Sequence, residues 1–292
     1  MDKELRCLFS KQHIITRGIT LKNHVKIIDD GEKKYVIKKR NKRIEDIYQY
    51  LVSRSFEYIP SLLFQTDHYD VYEYIEDANI CNEERANDIF KLVSVLHSKT
   101  TFYKDIDDDT YKELYENIMN QIDYLFHYYD DVASVIEQDV YMSPSHYFFI
   151  RNISMVFSSL NYAREQIEKW YSIISEKKRV RIVQIHNYLR LDHYLLSHKP
   201  YLISWEKSCK DFPIIDLYEF YLEYYSEFDF CDLFRIYESY YPLLEEEKIL
   251  FFVLISIPWK LDFNDQEIKL CEKITYFYDY LSIGDKFIHD YL

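Results

Sequence analysis

Only three of the 292 residues are glycine. Glycine enters positive-φ backbone without steric cost, so two-residue hairpins and phosphate-cradling loops both draw on it. A chain this poor in glycine is badly suited to an all-β fold with many tight turns. It is equally unsuited to a Gly-rich loop whose backbone N–H groups converge on a phosphate. The hydrophobic pattern agrees: a few short strand-like runs come first, and long helical periodicities follow.

Hydrophobic residues at 48% and charged residues at 29% fit a globular chain rather than a disordered one. The length allows two small domains or one large one. A net charge of -14, spread along the chain, disfavours nucleic acid and anionic membrane as partners, because both select a basic face. No uncharged apolar stretch reaches the roughly 18 residues of a membrane span. The N-terminus, MDKELRCLFS, carries charge where a signal peptide needs an apolar core, which points to a cytoplasmic protein. Cys7, Cys81, Cys209, Cys231 and Cys271 are odd in number, widely spaced and free of any CxxC. They read as reduced thiols, not as a disulfide frame or a zinc site. The high counts of Tyr (31) and Phe (19) have two readings, the codon bias of an AT-rich genome or a tyrosine-rich contact surface.

Residues 19–28 alternate loosely, as a half-exposed strand does. Asp29-Asp30-Gly31-Glu32 is a hairpin turn signal leading into a second strand, Tyr35-Val36-Ile37-Lys38. The amphipathic stretch RIEDIYQYLVSR predicts a helix, and Leu62–Gln65 and Val71–Ile75 predict two further strands. From there the chain turns helical. Asn82–Lys99 places Ile89, Val93 and Leu96 on one face, with His97 beside them as a core histidine. Asp105 to Asp109 reads as a loop and helix start, not a calcium loop, since the central Gly and terminal Glu are missing. The helix after it has Leu114, Ile118, Ile122 and Leu125 in register. Ser143-Pro144 signals the start of another long helix, reaching about Ile174. The tail from Asp229 is helical with breaks at Pro242 and Pro258, and Leu243–Ile257 is apolar enough to be buried on nearly all sides.

The most informative stretch is RIVQIHNYLRLDHYLLSHKPYLISWEKSCKDFPIIDLYEF, residues 181–220. An apolar strand ends at His186, a turn-rich segment follows, and Tyr201–Ile203 leads into Ser204-Trp205-Glu206. Pro213 and Asp216-Leu217 come later. This order resembles the catalytic core of the aminoglycoside phosphotransferase and choline kinase-like superfamily, and the Leu92–His97 segment resembles its spore-coat kinase-like branch. The superfamily pattern is H-G-D-x-x-x-x-N, a hairpin, I-D-W-E and later P-x-x-D-L. The resemblance implies a two-lobed, α+β, protein-kinase-like fold. Residues 1–76 would be a small antiparallel-sheet N-lobe of strands plus one helix, and 77–292 a large, mostly helical C-lobe carrying the loop at 181–220. It also implies a nucleotide pocket for ATP with Mg²⁺. Lys38 would reach the phosphates, Glu45 on the next helix would pair with it, and Tyr74 would lie on the strand that meets adenine.

The frame is kept, but its chemical groups are replaced. The resemblance puts Tyr188 where the catalytic Asp belongs, His193 where the metal-binding Asn belongs, and Ser204 where the second metal-binding Asp belongs. A tyrosine with an ordinary pKa of about 10 does not serve as base at neutral pH. Serine is a weak ligand for Mg²⁺, which favours carboxylate oxygen, and imidazole suits softer metals. The sequence therefore predicts a pseudokinase, a binding or regulatory module for an unidentified protein partner. One alternative is an active small-molecule or spore-coat-associated kinase with Asp192 and Glu206 as rearranged metal ligands. Another is a structural coat or scaffold protein. A metal site built on His186, Asp192 and His193 is a further, separate possibility. Asp216 reads as the N-cap of a helix over Leu217–Tyr225.

Overall fold

The structure, a computed structural model, describes residues 3–11, 18–22, 25–106 and 108–292. Its elements begin with α1 (Lys3–Lys11), β1 (Gly18–Lys22), β2 (Val25–Asp29), β3 (Lys34–Lys39), α2 (Lys42–Ser53), β4 (Leu62–Gln65), β5 (Tyr69–Glu73) and α3 (Asn82–Thr100). They continue with β6 (Phe102–Asp105), α4 (Asp108–Glu137), α5 (Pro144–Ser175), β7 (Arg179–Ile185), β8 (Tyr194–Leu196), β9 (Pro200–Leu202) and β10 (Cys209–Asp211). Four helices close the chain: α6 (Ile214–Tyr224), α7 (Phe230–Tyr240), α8 (Glu245–Ser256) and α9 (Glu267–Tyr291). The architecture is α+β. The chain forms two compact units, one running up to Thr100 and including Tyr188–Ser208, the other formed by Thr101–Asn187 and Cys209–Leu292. The first unit thus keeps α3 and takes in the 188–208 segment.

The first unit is built on a five-stranded antiparallel sheet in the order β1-β2-β3-β5-β4. Its β2–β3 turn is made where the sequence signals it. Gly31 has φ 94°, and Asp30 Oδ1 accepts the amides of Glu32 (2.8 Å) and Lys33 (2.6 Å). Residues 19–28 are not one strand. They divide into β1 and β2, paired antiparallel from Gly18↔Asp29 to Lys22↔Val25. A loose alternation runs through both arms, so the pattern alone does not reveal the reversal. Helix α1 was also unforeseen, although Leu5, Leu8 and Phe9 have helical spacing. Leu5 and Phe9 pack with Ile28, Tyr35, Ile37 and Val71 to form the core on that side of the sheet. Helix α2 starts at an Asn41 N-cap, whose side chain accepts the Arg43 amide, and buries Ile44, Ile47 and Leu51. Ile89, Val93 and Leu96 of α3 are fully buried as predicted, and so is His97.

The second unit is mostly helical, with a three-stranded antiparallel sheet in the order β10-β7-β6. Helix α5 begins as its sequence predicts, with Pro144 first and Ser143 Oγ accepting the His146 amide. Helix α8 is buried on nearly every side. Even Glu246 and Glu247 in its first turn are enclosed, paired with Lys177 and Arg181. Helix α4 starts at Asp108, inside the Asp105–Asp109 segment that signals a loop and helix start, although Asp105 itself ends β6 and pairs with Arg179 at 2.6 Å. One expectation is corrected here. Asp216 is not an N-cap, because α6 starts earlier, straight after Pro213, and leaves Asp216 inside its first turn. Among the described residues no helix is long and apolar enough to cross a membrane.

Candidate functional site

A pocket of about 760 Å³ opens within the first unit. Its apolar walls come from strand residues Ile27, Val36 and Tyr72, from Tyr48 on α2, and from Ile75 and Ile203. Strand β5 ends at Glu73, two residues sooner than the pattern suggests, which leaves Tyr74 and Ile75 outside the ladder and in the lining. Tyr48 and Tyr72 meet edge-on, with ring centroids 5.8 Å apart. Burial pushes both phenols well above their ordinary pKa, so neither ionises at neutral pH.

Lys38, on β3, projects into this pocket and pairs with Glu206, Nζ to Oε1, at 3.0 Å. Burial alone would raise the Glu206 pKa, but the Lys38 charge and hydrogen bond outweigh it and hold the carboxyl below its ordinary value. Lys38 does not pair with Glu45. That carboxylate, in the first turn of α2, accepts Arg40 Nε at 2.6 Å and Nη2 at 3.2 Å. The hydrogen bond from Arg40 also lowers its pKa. Arg40 stands just ahead of the helix and captures Glu45 locally, while the pocket receives Tyr48 from the next turn.

The segment after β7 carries further candidate residues. Tyr188, His193 and Ser204 all line the pocket, together with Asp192 and Glu206. The Tyr188 ring lies 4.8 Å from that of His193, with Lys207 Nζ 4.0 Å and Arg190 Cζ 5.4 Å from its centroid. His193 Nδ1 is 2.8 Å from the Tyr188 carbonyl; that oxygen only accepts, so Nδ1 carries a proton. Ser204 sits in the left-handed region, φ 69° and ψ 54°, at the bend between β9 and the short 3₁₀ turn Trp205–Lys207. Trp205 fixes that bend: it is buried, and its Nε1 donates to the Leu202 carbonyl at 3.0 Å. His186 belongs to the second unit, where it is buried and its amide donates to Asp216.

Four carboxylates line the pocket, and three are committed. Glu73 accepts the Ser61 amide at 2.8 Å. Asp77 accepts Arg85 Nη2 at 2.9 Å and the Leu196 amide at 2.8 Å. Glu206 holds Lys38. Asp192 is 73% exposed, with one oxygen 4.0 Å from His193 Nε2. Among the described residues no three His, Cys, Asp or Glu side chains come together as a metal would need, which removes the trio of His186, Asp192 and His193. The sequence reading also missed the Asp77–Arg85 pair, which braces this wall as Arg85 donates to the Tyr194 carbonyl. A signal existed: an arginine next to Ala86 and Ile89, on a face that is otherwise apolar.

No family model and no curated protein matches this sequence. Solved structures do. An aminoglycoside phosphotransferase from Alicyclobacillus acidocaldarius superposes with a TM-score of 0.65 at 8% identity, over 95% of this chain and 93% of its own. The AMP-bound complex of a spectinomycin phosphotransferase superposes with a TM-score of 0.51 at 13% identity, over 98% of this chain and 94% of its own. The chain shares the fold of these two phosphotransferases.

Proposed function

We propose that this protein is a catalytically impaired kinase-like module that keeps a nucleotide pocket and acts by binding a partner protein. One observation carries the reading. Lys38 is held in an open, apolar-walled pocket whose lining includes Tyr188, His193 and Ser204, the residues that the resemblance aligns with a phosphotransferase's base and metal ligands. Phosphoryl transfer is mostly positioning and charge stabilisation, and it fails without those carboxylates. A nucleotide fits the groups present: the apolar walls take a base, and the Lys38 ammonium takes a phosphate. AMP in the complex of the spectinomycin phosphotransferase supports that ligand class. Magnesium fits poorly, because the carboxylates other than Asp192 are engaged and Ser204 and His193 are poor partners for it. The charge of -14 counts against nucleic acid. The expected setting is the cytoplasm, and the partner is an unidentified protein.

A second reading keeps some support, because Asp192 and Glu206 line the same pocket. It is a rearranged small-molecule or spore-coat-associated kinase that uses those carboxylates for Mg²⁺. The open cavity counts against a purely structural coat or scaffold role, in which a filled cleft is expected.

Calorimetric titration with ATP, in Mg²⁺ and in EDTA, tests the proposal. The expected result is binding that ignores Mg²⁺, weakens about tenfold or more in Lys38→Met, and is accompanied by no phosphate transfer. No binding at millimolar ATP would sink the nucleotide reading. Binding that requires Mg²⁺ and is lost in Asp192→Ala would favour the rearranged kinase.

A further inference from the structure

We infer that Glu206 is the positioning residue for Lys38, taking the part that α2 leaves vacant, and that it is engaged there and not as a metal ligand. This deepens the nucleotide-pocket reading and rests on it for its ligand. The expected partner on helix α2 is taken: Glu45 is bound by Arg40, and Tyr48 is the pocket-facing residue one turn on. Glu206 reaches Lys38 from 168 residues away, and the turn that carries it is anchored by packing and hydrogen bonds. Trp205 is buried against Phe56, with ring centroids 6.0 Å apart, and Arg43 Nη2 from α2 holds the Ser208 carbonyl at 2.8 Å. The 3₁₀ turn Trp205–Lys207 is thus pinned at both ends, and its glutamate is aimed into the pocket.

Such a pair has two opposing effects on a phosphate-bearing ligand. The carboxylate repels the phosphate, but this repulsion is screened, since the Glu206 side chain is 46% exposed. The carboxylate also restrains a lysine with four rotatable bonds, so that less freedom remains to be lost on binding. Restraint of Lys38 therefore outweighs the screened repulsion, and removing the carboxylate weakens binding. A metal-ligand role predicts something else, an effect confined to solutions that contain the metal.

The test compares wild type, Glu206→Gln, Glu206→Asp and Lys38→Met by calorimetry with ATP in EDTA, and follows the lysine ammonium groups by ¹⁵N NMR without nucleotide. Expected are roughly three- to tenfold weaker binding for Glu206→Gln, partial rescue by Glu206→Asp, and no additional loss when Glu206→Gln is combined with Lys38→Met. The Lys38 ammonium signal, ordered in wild type, should become mobile in Glu206→Gln. Unchanged or tighter ATP binding by Glu206→Gln in EDTA overturns the assignment. A Lys38 signal equally mobile in wild type and Glu206→Gln overturns it as well, with or without nucleotide. If wild type binds no ATP while Lys38 is ordered by Glu206, the pocket's ligand is wrong and the positioning role stands.

Discussion

Asp216 accepts the amide proton of Asn187 at 2.6 Å, across 29 residues of chain. It accepts that of His186 at 2.8 Å with its other oxygen. Asn187 has φ 58°, a backbone state in which asparagine is better tolerated than most residues. One buried carboxylate inside α6 therefore holds the bend that ends β7.

Replacing Asp216 by Asn should cost about 2 kcal/mol of stability, because one of the two amides, that of His186 buried and that of Asn187 half-buried, would face an NH₂ donor. Urea unfolding of the purified protein measures this. A loss below about 1 kcal/mol would mean that the bend holds itself without the carboxylate.

The buried pair of Arg181 and Glu247 makes a second prediction. Arg181 Nε donates to Glu247 at 2.9 Å, its guanidinium lies 4.2 Å from the Tyr241 ring centroid, and Glu247 also accepts the Leu244 amide that opens α8. Arg181→Met alone should destabilise by about 3–5 kcal/mol, since it leaves a buried charge unpaired. Adding Glu247→Leu should recover part of that loss, though not all, because the α8 cap is lost too. A double variant worse than the sum of the singles would contradict this account of the pair.

Glu267 has a pKa below its ordinary 4.5, chiefly because its carboxylate accepts the Ser145 amide at the start of α5. A depressed folded pKa contributes stability that is present above the unfolded pKa and is lost as pH falls through the folded value. Glu267→Gln should therefore lower Tm at pH 7, and the difference from wild type should shrink as the pH falls below about 4.5. A difference that does not change between pH 7 and pH 3 would assign the effect to shape and not to charge.

Ser204 lies at the place where the resemblance expects a metal-binding Asp, and it already has a left-handed backbone. Ser204→Asp should supply the missing oxygen ligand beside Asp192 and make ATP binding respond to Mg²⁺, with affinity rising about tenfold on adding the ion. The aspartate tolerates this conformation about as well as serine does. Calorimetry with and without Mg²⁺ reads the gain. Binding that still ignores the metal would mean that the pocket geometry has drifted along with its residues.

Local chemistry made several elements legible. The Asp30-Gly31 turn, the Ser143-Pro144 helix start and the apolar run of α8 each depend on neighbours within a few residues. The order of pieces over 181–220 carried the fold class, since it needs only strand, turn, hairpin and helix in sequence. What stayed hidden depended on distant partners. The division of 19–28 into β1 and β2 turns on a reversal that alternation does not encode. β6 exists because β7 pairs with it, from Phe102↔Ile182 to Asp105↔Arg179.

The sequence by itself determined the α+β class and the kinase-like order of elements. Only the tertiary structure decided which carboxylate meets Lys38. Glu45 lies seven positions on and was the natural candidate, yet a nearby arginine takes it, and the lysine finds Glu206 instead. Sequence distance governs turns and caps because their hydrogen bonds close within a few residues. Charge pairing is governed by distance in space, which is set only when the sheet, α2 and the pinned turn at Trp205 have packed together.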